Sequence, residues 1–167
     1  KGVDFSDGKY IAVGTKGLIL ASEDGKTWRK IGLDIDKNFH NISFGNNNYV
    51  AVGDDATVIL YNNKMDNWNK EEIIDSRGGF FNKNDFYGVT YAKGNFFLVG
   101  DDGISASSTN WKINPLGIEK KLTDIVFANS KFFVVGESGT ILSSQNGQKW
   151  IKHKFETELK VKGIASK

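Results

Sequence analysis

At 167 residues the chain is long enough to bury one sizeable core, and its 13% aromatic content, with 19 Gly against a single Pro, suits a β-rich protein. The formal charge of +2 leaves no basic footprint of the kind that nucleic acid or an anionic membrane requires, and the absence of cysteine excludes disulfides, thiolate metal sites and cysteine nucleophiles. No apolar run approaches a membrane span and no signal-like segment is present. The chain opens on Lys1 rather than Met, which reads as a mature or excised segment whose targeting sequence would not be seen.

Taken in order, the chain states one unit four times. A first strand carries an apolar residue and an aromatic two positions later: Val3 and Phe5, Ile42 and Phe44, Val89 and Tyr91, Ile125 and Phe127. Seven residues after that apolar position comes the aromatic that opens a second strand: Tyr10, Tyr49, Phe96 and Phe132. The second strand ends at Val-Gly, turns over two polar residues and restarts at Gly or Ala, which is a β-hairpin written as sequence. The third strand follows, and the fourth carries Trp28, Trp68, Trp111 or Trp150, so that every Trp falls at one repeat position. Indoles placed so regularly are expected to wedge between neighbouring sheets. A repeat of roughly 40 residues predicts an all-β propeller, or a propeller fragment, with four four-stranded antiparallel blades. The blades divide as 1–38, 39–76, 77–117 and 118–157, all in one domain. Residues 158–167 match the start of another first strand. Blade 1 already has its own first strand, so the segment reads as part of a larger ring or of one completed by a second copy, with a closed four-bladed ring as the alternative.

Before Trp28 and Trp150 the chain reads Ser22-Glu23-Asp24-Gly25-Lys26-Thr27 and Ser144-Gln145-Asn146-Gly147-Gln148-Lys149. The Asp24 or Asn146 oxygen can accept backbone N–H bonds inside a tight turn, and the Gly tolerates positive φ. This pattern resembles the Asp-box, or bacterial-neuraminidase, repeat of β-propellers. The wider repeat is similar to the propeller family of photosystem II assembly factors and its bacterial relatives. The resemblance implies a propeller fold and, for the boxes, a structural role on the face opposite the usual binding site. It implies no single activity, since hydrolases, sorting receptors and assembly factors share the repeat. Blade 2's box is one residue longer and blade 3's contracts to Ser108-Thr109-Asn110-Trp111.

Ligands of propellers usually bind on the face that carries the turns between strands two and three. Those turns supply Asp54-Asp55, Asp101-Asp102 and Glu137-Ser138, against Thr15-Lys16 in blade 1. Two such acids could form a glycosidase pair, one with a raised pKa; Asp and Glu before Gly are also ordinary turn formers. A sialidase is excluded by the resemblance itself, because that family binds the sialate carboxylate with three arginines and this chain has only Arg29 and Arg77. The longest connection, from Glu71 to Asp85, offers Arg77 beside Phe80 and Phe81 as a contact surface. The alternative places both phenylalanines in the core. Asp34, Asp36 and Asn38 imitate the start of a calcium loop without its Gly and terminal Glu. His40 and His153 lack zinc-ligand spacing, and Lys152-His153-Lys154 reads as a solvated edge.

The expected function is a non-catalytic binding or scaffold propeller, without cofactor or metal. It would recognise a protein or a cell-surface polysaccharide through Arg77, Phe80, Phe81 and the acidic turns. The alternatives are a carbohydrate-active hydrolase using those acids, or a lectin. An extracellular or cell-surface place is expected, with a cytoplasmic one as the other option.

Overall fold

The computed structural model describes residues 1–63, 67–75, 77–153, 155 and 159–165. The middle of blade 2's box, Ser76, Lys154 and both flanks of the expected last strand lie outside the described residues. Blade 1 comprises β1 (Gly2–Ser6), β2 (Lys9–Val13), β3 (Ile19–Ser22) and β4 (Arg29–Ile31). Blade 2 comprises β5 (Phe39–Gly45), β6 (Asn48–Gly53), β7 (Val58–Asn62) and β8 (Asn67–Glu71). Blade 3 comprises β9 (Phe86–Ala92), β10 (Asn95–Gly100), β11 (Ile104–Ser107) and a short β12 (Asn114–Pro115). Blade 4 comprises β13 (Leu122–Ala128), β14 (Lys131–Gly136), β15 (Ile141–Ser144) and β16 (Ile151–His153). Each sheet is antiparallel with its strands in chain order, which is the blade of a propeller.

The aromatic spacing has a direct structural cause. Phe5 pairs with Tyr10, Phe44 with Tyr49, Tyr91 with Phe96 and Phe127 with Phe132 across the first two strands. Their ring centroids lie 4.2, 4.6, 4.9 and 4.8 Å apart, so each hairpin is fastened by an aromatic pair. The turns between them hold two successive residues at positive φ, as in Asp7-Gly8 (54° and 73°), which matches the twist of the paired strands.

Hydrophobic burial joins blades rather than closing each one. One cluster combines Ile11, Val13 and Ile19 of blade 1 with Phe39, Ile42, Tyr49 and Ile59 of blade 2. A second joins Val50, Val52 and Val58 to Phe86, Phe96 and Leu98, and a third joins Val99 to Leu122, Phe132 and Val134. Accordingly the inner strands pack in series, β1 on β5, β5 on β9 and β9 on β13, and no comparable contact returns from β13 to β1. The outer face of blade 1 is therefore bare: Val3 and Phe5 are 62% and 53% exposed, whereas Ile42, at the repeat position of Val3, is 5% exposed.

The tryptophans do not fill the joints as the sequence reading expects. Trp28, Trp111 and Trp150 precede their fourth strands rather than lying in them, and Trp28 is 38% exposed. Trp68, Trp111 and Trp150 are half-buried at the margins of the interblade clusters. The gap is filled instead by the aromatic that opens the second strand, since Tyr49 and Phe132 are fully buried and Phe96 nearly so. An indole at the outer end of a blade meets the widest part of the wedge between sheets, where one neighbouring sheet cannot enclose it.

The box turns of blades 1 and 4 share one geometry. Asp24 Oδ1 accepts the Lys26 and Thr27 N–H groups at 2.8 and 2.7 Å, and Asn146 Oδ1 accepts those of Gln148 and Lys149, both at 3.0 Å. The Thr27 and Lys26 N–H groups pull the Asp24 carboxyl down to about 2. After β16 no strand is formed among the described residues, but 159–165 runs along blade 4. Val161 N–H donates to Gly136 O at 3.1 Å, as Phe39 N–H donates to Gly14 O at 2.9 Å in blade 1. Thr123 Oγ1 donates to Val161 O at 2.5 Å and Ile164 N–H to Asp124 Oδ2 at 3.0 Å. Burial pushes the Asp124 carboxyl up, against the Ile164 and Ile125 N–H groups that oppose it.

Candidate functional site: a polar row across the turn face

The turn after each second strand is tied to the chain that follows the fourth strand of the same blade. Gly17, Ala56, Gly103 and Gly139 donate their N–H groups to Lys37, Asn84, Lys120 and Leu159 carbonyls at 2.7, 2.7, 2.8 and 3.0 Å. These bonds fix the acidic turns against the interblade loops on one face. In blades 2 and 3 the first acid of the turn folds back toward its own inner strand, and the second sits in the left-handed region, with φ of 50° at Asp55 and 51° at Asp102.

The inner strands contribute side chains that sequence reasoning missed. The pairing of β5 with β6 slips between Phe39 and Asn41, which leaves His40 outside the ladder. The same irregularity frees Tyr87 in β9 and Thr123 in β13. A bulge re-aims the extra side chain, and here it aims His40 and Tyr87 toward the acidic turns. The available signal was a polar or aromatic residue two places before the apolar Ile42, Val89 and Ile125 in each unit.

The result is a continuous row. Asp54 accepts Asn38 Nδ2 at 2.7 Å and lies 2.8 Å from His40 Nε2. The His40 ring packs on Tyr87 with centroids 4.7 Å apart. Tyr87 donates its hydroxyl to Asp85 at 2.8 Å, with Asp101 at 3.4 Å. The Lys121 ammonium sits 3.3 Å from the Tyr87 ring centroid and 3.7 Å from Asp101. Burial raises Tyr87, helped by its bond to Asp85 and the charge of Asp101, so the phenol stays a donor. For Asp54, burial acts upward, but the Asn38 N–H and the His40 ring outweigh it and hold the carboxyl below its usual range. That is the opposite of what a general acid needs.

The other predicted site residues are placed as follows. Asp55 pairs with Lys37 and accepts no part in the row, while its N–H donates to Asp85 at 2.9 Å. Asp102 accepts Asn84 Nδ2 at 2.8 Å, and Glu137 pairs with Lys160 at 3.2 Å. Asn38, of the calcium-loop imitation, accepts the Lys16 N–H at 3.1 Å and donates Nδ2 to Asp54 at 2.7 Å. Among the described residues the potential metal-ligand group is a different one: His40, Asp54 and Asp85 bring one atom each to within 4.8 Å of one another. Each of these atoms' residues is already engaged in the hydrogen bonds above.

The Glu71–Asp85 connection is partly ordered by its own backbone. Asp75 Oδ1 accepts the Arg77 and Gly79 N–H groups at 2.8 and 3.0 Å, and those bonds hold its carboxyl below the usual range. Phe81 tucks against the core between blades 2 and 3, whereas Phe80 remains 74% exposed. Both phenylalanines and Asp55 line one cavity of about 340 Å³, with Lys70 to Ile73 as its other wall. Arg77 projects elsewhere, beside Asp75 at 3.7 Å. The structure thus brings Asp55, Phe80 and Phe81 together and leaves Arg77 out.

No protein-family model and no curated protein matches the chain. Solved structures do. YCF48 from Cyanidioschyzon merolae superposes with a TM-score of 0.72 at 18% identity, over 99% of this chain and 59% of its own. The WD40 repeats of RRP9 give 0.68 at 8% identity, over 90% of this chain and 49% of theirs. The extracellular domain of a one component system from B. thetaiotaomicron gives 0.64 at 13% identity, over 90% of this chain and 24% of its own. The shared feature is the β-propeller fold, and this chain spans between a quarter and three fifths of those proteins' lengths. Among the described residues, no helix is long and apolar enough to cross a membrane.

Proposed function

We propose that this chain is a non-catalytic binding module of the Asp-box type, which recognises a basic segment of a partner protein on its turn face outside the cell. The observation that carries this reading is the row of Asp54, His40, Tyr87, Asp85, Asp101 and Lys121 across three blades. Carboxylates held by a rigid scaffold suit a guanidinium or ammonium group, through charge-assisted hydrogen bonds. The exposed Phe80 supplies an apolar anchor at the edge of the same face. The Asp54 carboxyl, held below its usual range by the Asn38 N–H and the His40 ring, suits a ligand for a cation better than a general acid.

A decapeptide carrying three arginines in a Gly-Ser background is expected to bind the chain by fluorescence anisotropy, with affinity falling as salt rises. Asp85→Asn combined with Asp101→Asn should weaken it at least tenfold while the melting temperature holds. Equal binding of an uncharged Gly-Ser peptide, or an unchanged affinity in the double variant, would overturn the proposal. Turnover of a glycoside that is lost on single Asn substitution at Asp54, Asp55, Asp101 or Asp102 would instead favour a hydrolase.

A further inference from the structure

The opposite face carries a second feature that the turn-face reading does not use. Blade 3 has a contracted box and only two residues in β12, so its outer strands leave space in front of blade 4's box. The resulting cleft, about 630 Å³, has Ser105, Ser107 and Asn114 on one wall and Asn146, Gln148 and Trp150 on the other. A second hollow of about 440 Å³ lies on the far side of the same box and shares Asn146 and Trp150 with the first. Lys93 and Lys112 line the first hollow and Lys131 and Lys149 the second, and neither is lined by an Asp or Glu. This pair of hollows is therefore basic.

We infer that this double cleft is a binding site for an acidic oligosaccharide, a chain of sugar rings bearing carboxylates or sulfates. Hydroxyl and amide side chains of the walls match a ligand rich in hydroxyl groups. The indole of Trp150 is fixed by its own N–H, which donates to Gly147 O at 3.2 Å, so its ring is held as a flat platform. Lysines, as compact point charges, suit isolated carboxylates or sulfates along a sugar chain. Lys93 is positioned by a 2.7 Å bond to Gln145 O across the blade joint. Both hollows fall within or near the size range of small-ligand sites. Sharing Trp150, they would let successive sugar rings pass over one indole.

The test is calorimetric titration of the whole chain with hexagalacturonate, with maltohexaose and a single-stranded hexanucleotide as comparison probes. Hexagalacturonate is expected to bind, to quench tryptophan emission and to lose at least tenfold in affinity in the Lys112→Ala/Lys149→Ala double variant. Among the described residues neither lysine's side chain is hydrogen-bonded or ion-paired, so melting should be unchanged in that variant. Asp85→Asn with Asp101→Asn should leave this binding intact, which separates its failure from that of the turn-face site. No measurable binding of hexagalacturonate, equal binding of maltohexaose, tighter binding of the hexanucleotide, or an unaffected double variant would each overturn the inference.

Discussion

Phe132→Ala is expected to destabilise the chain by about 3–5 kcal/mol. The ring has no exposed surface and lies in the joint between blades 3 and 4. Its neighbours come from both sides: Phe97 of blade 3 at 4.3 Å, and Phe127 and Trp150 of its own blade at 4.8 and 6.3 Å. Truncation removes the burial of the ring and leaves a cavity that two separate sheets must collapse to fill, which rigid blades do poorly. Urea denaturation should show the midpoint falling with the slope unchanged. Trp28→Ala is the contrast, because Trp28 is 38% exposed, and its loss should be clearly smaller. Equal losses at the two positions would contradict the placement of the joint.

Gly100→Ala is expected to cost about 1–3 kcal/mol, or more where the backbone cannot shift. Gly100 itself is extended, with φ of −160°, so the requirement is space and not a left-handed conformation. An added Cβ would stand 2.0 Å from Asp85 O, at the point where the chain enters blade 3. Gly53 meets Asn38 O at 2.0 Å and Gly136 meets Lys121 O at 2.3 Å in the same way. This close approach of two backbones accounts for the Gly that ends the second strand of blades 2, 3 and 4. Gly14 is the built-in control: the nearest atom to its added Cβ is a Leu18 side-chain carbon at 3.5 Å, so Gly14→Ala should be close to neutral. Thermal melting of the two variants side by side checks the difference.

Much of the fold was legible in the residues because its physics is local and repeated. The spacing from Ile42 to Tyr49, and its three copies, encodes a hairpin whose aromatic pair and turn fall in the same place each time. Which aromatic would be enclosed was not legible. Tyr49 and Trp68 both recur once per blade, yet enclosure depends on where a neighbouring sheet comes close, and periodicity carries no information on that distance. The candidate site was half legible. Asp54 and Asp101 stand in the turns as expected, but His40, Tyr87 and Lys121 were overlooked because a register slip aims the first two out of their strands. Asp85 reads in sequence as the end of a long loop, and only the folded chain sets it under the Tyr87 hydroxyl. Phe80 and Phe81 look equivalent as a dipeptide; the return of Phe81 N–H to Ile73 O, at 2.8 Å, decides that one faces inward and the other does not.

The two ends of the arc are protected unequally, and this gives the molecule a direction of unravelling. Blade 4 has residues 159–165 laid along its flank, whereas blade 1 shows Val3 and Phe5 to water. In an array where each unit leans only on its neighbours, order is lost first where a flank is least covered. Amide hydrogen exchange should therefore begin in β1 to β4, reach blade 4 later and leave β6, β7 and β10 for last. Uniform exchange across the four sheets would mean that the arc opens as one cooperative body instead.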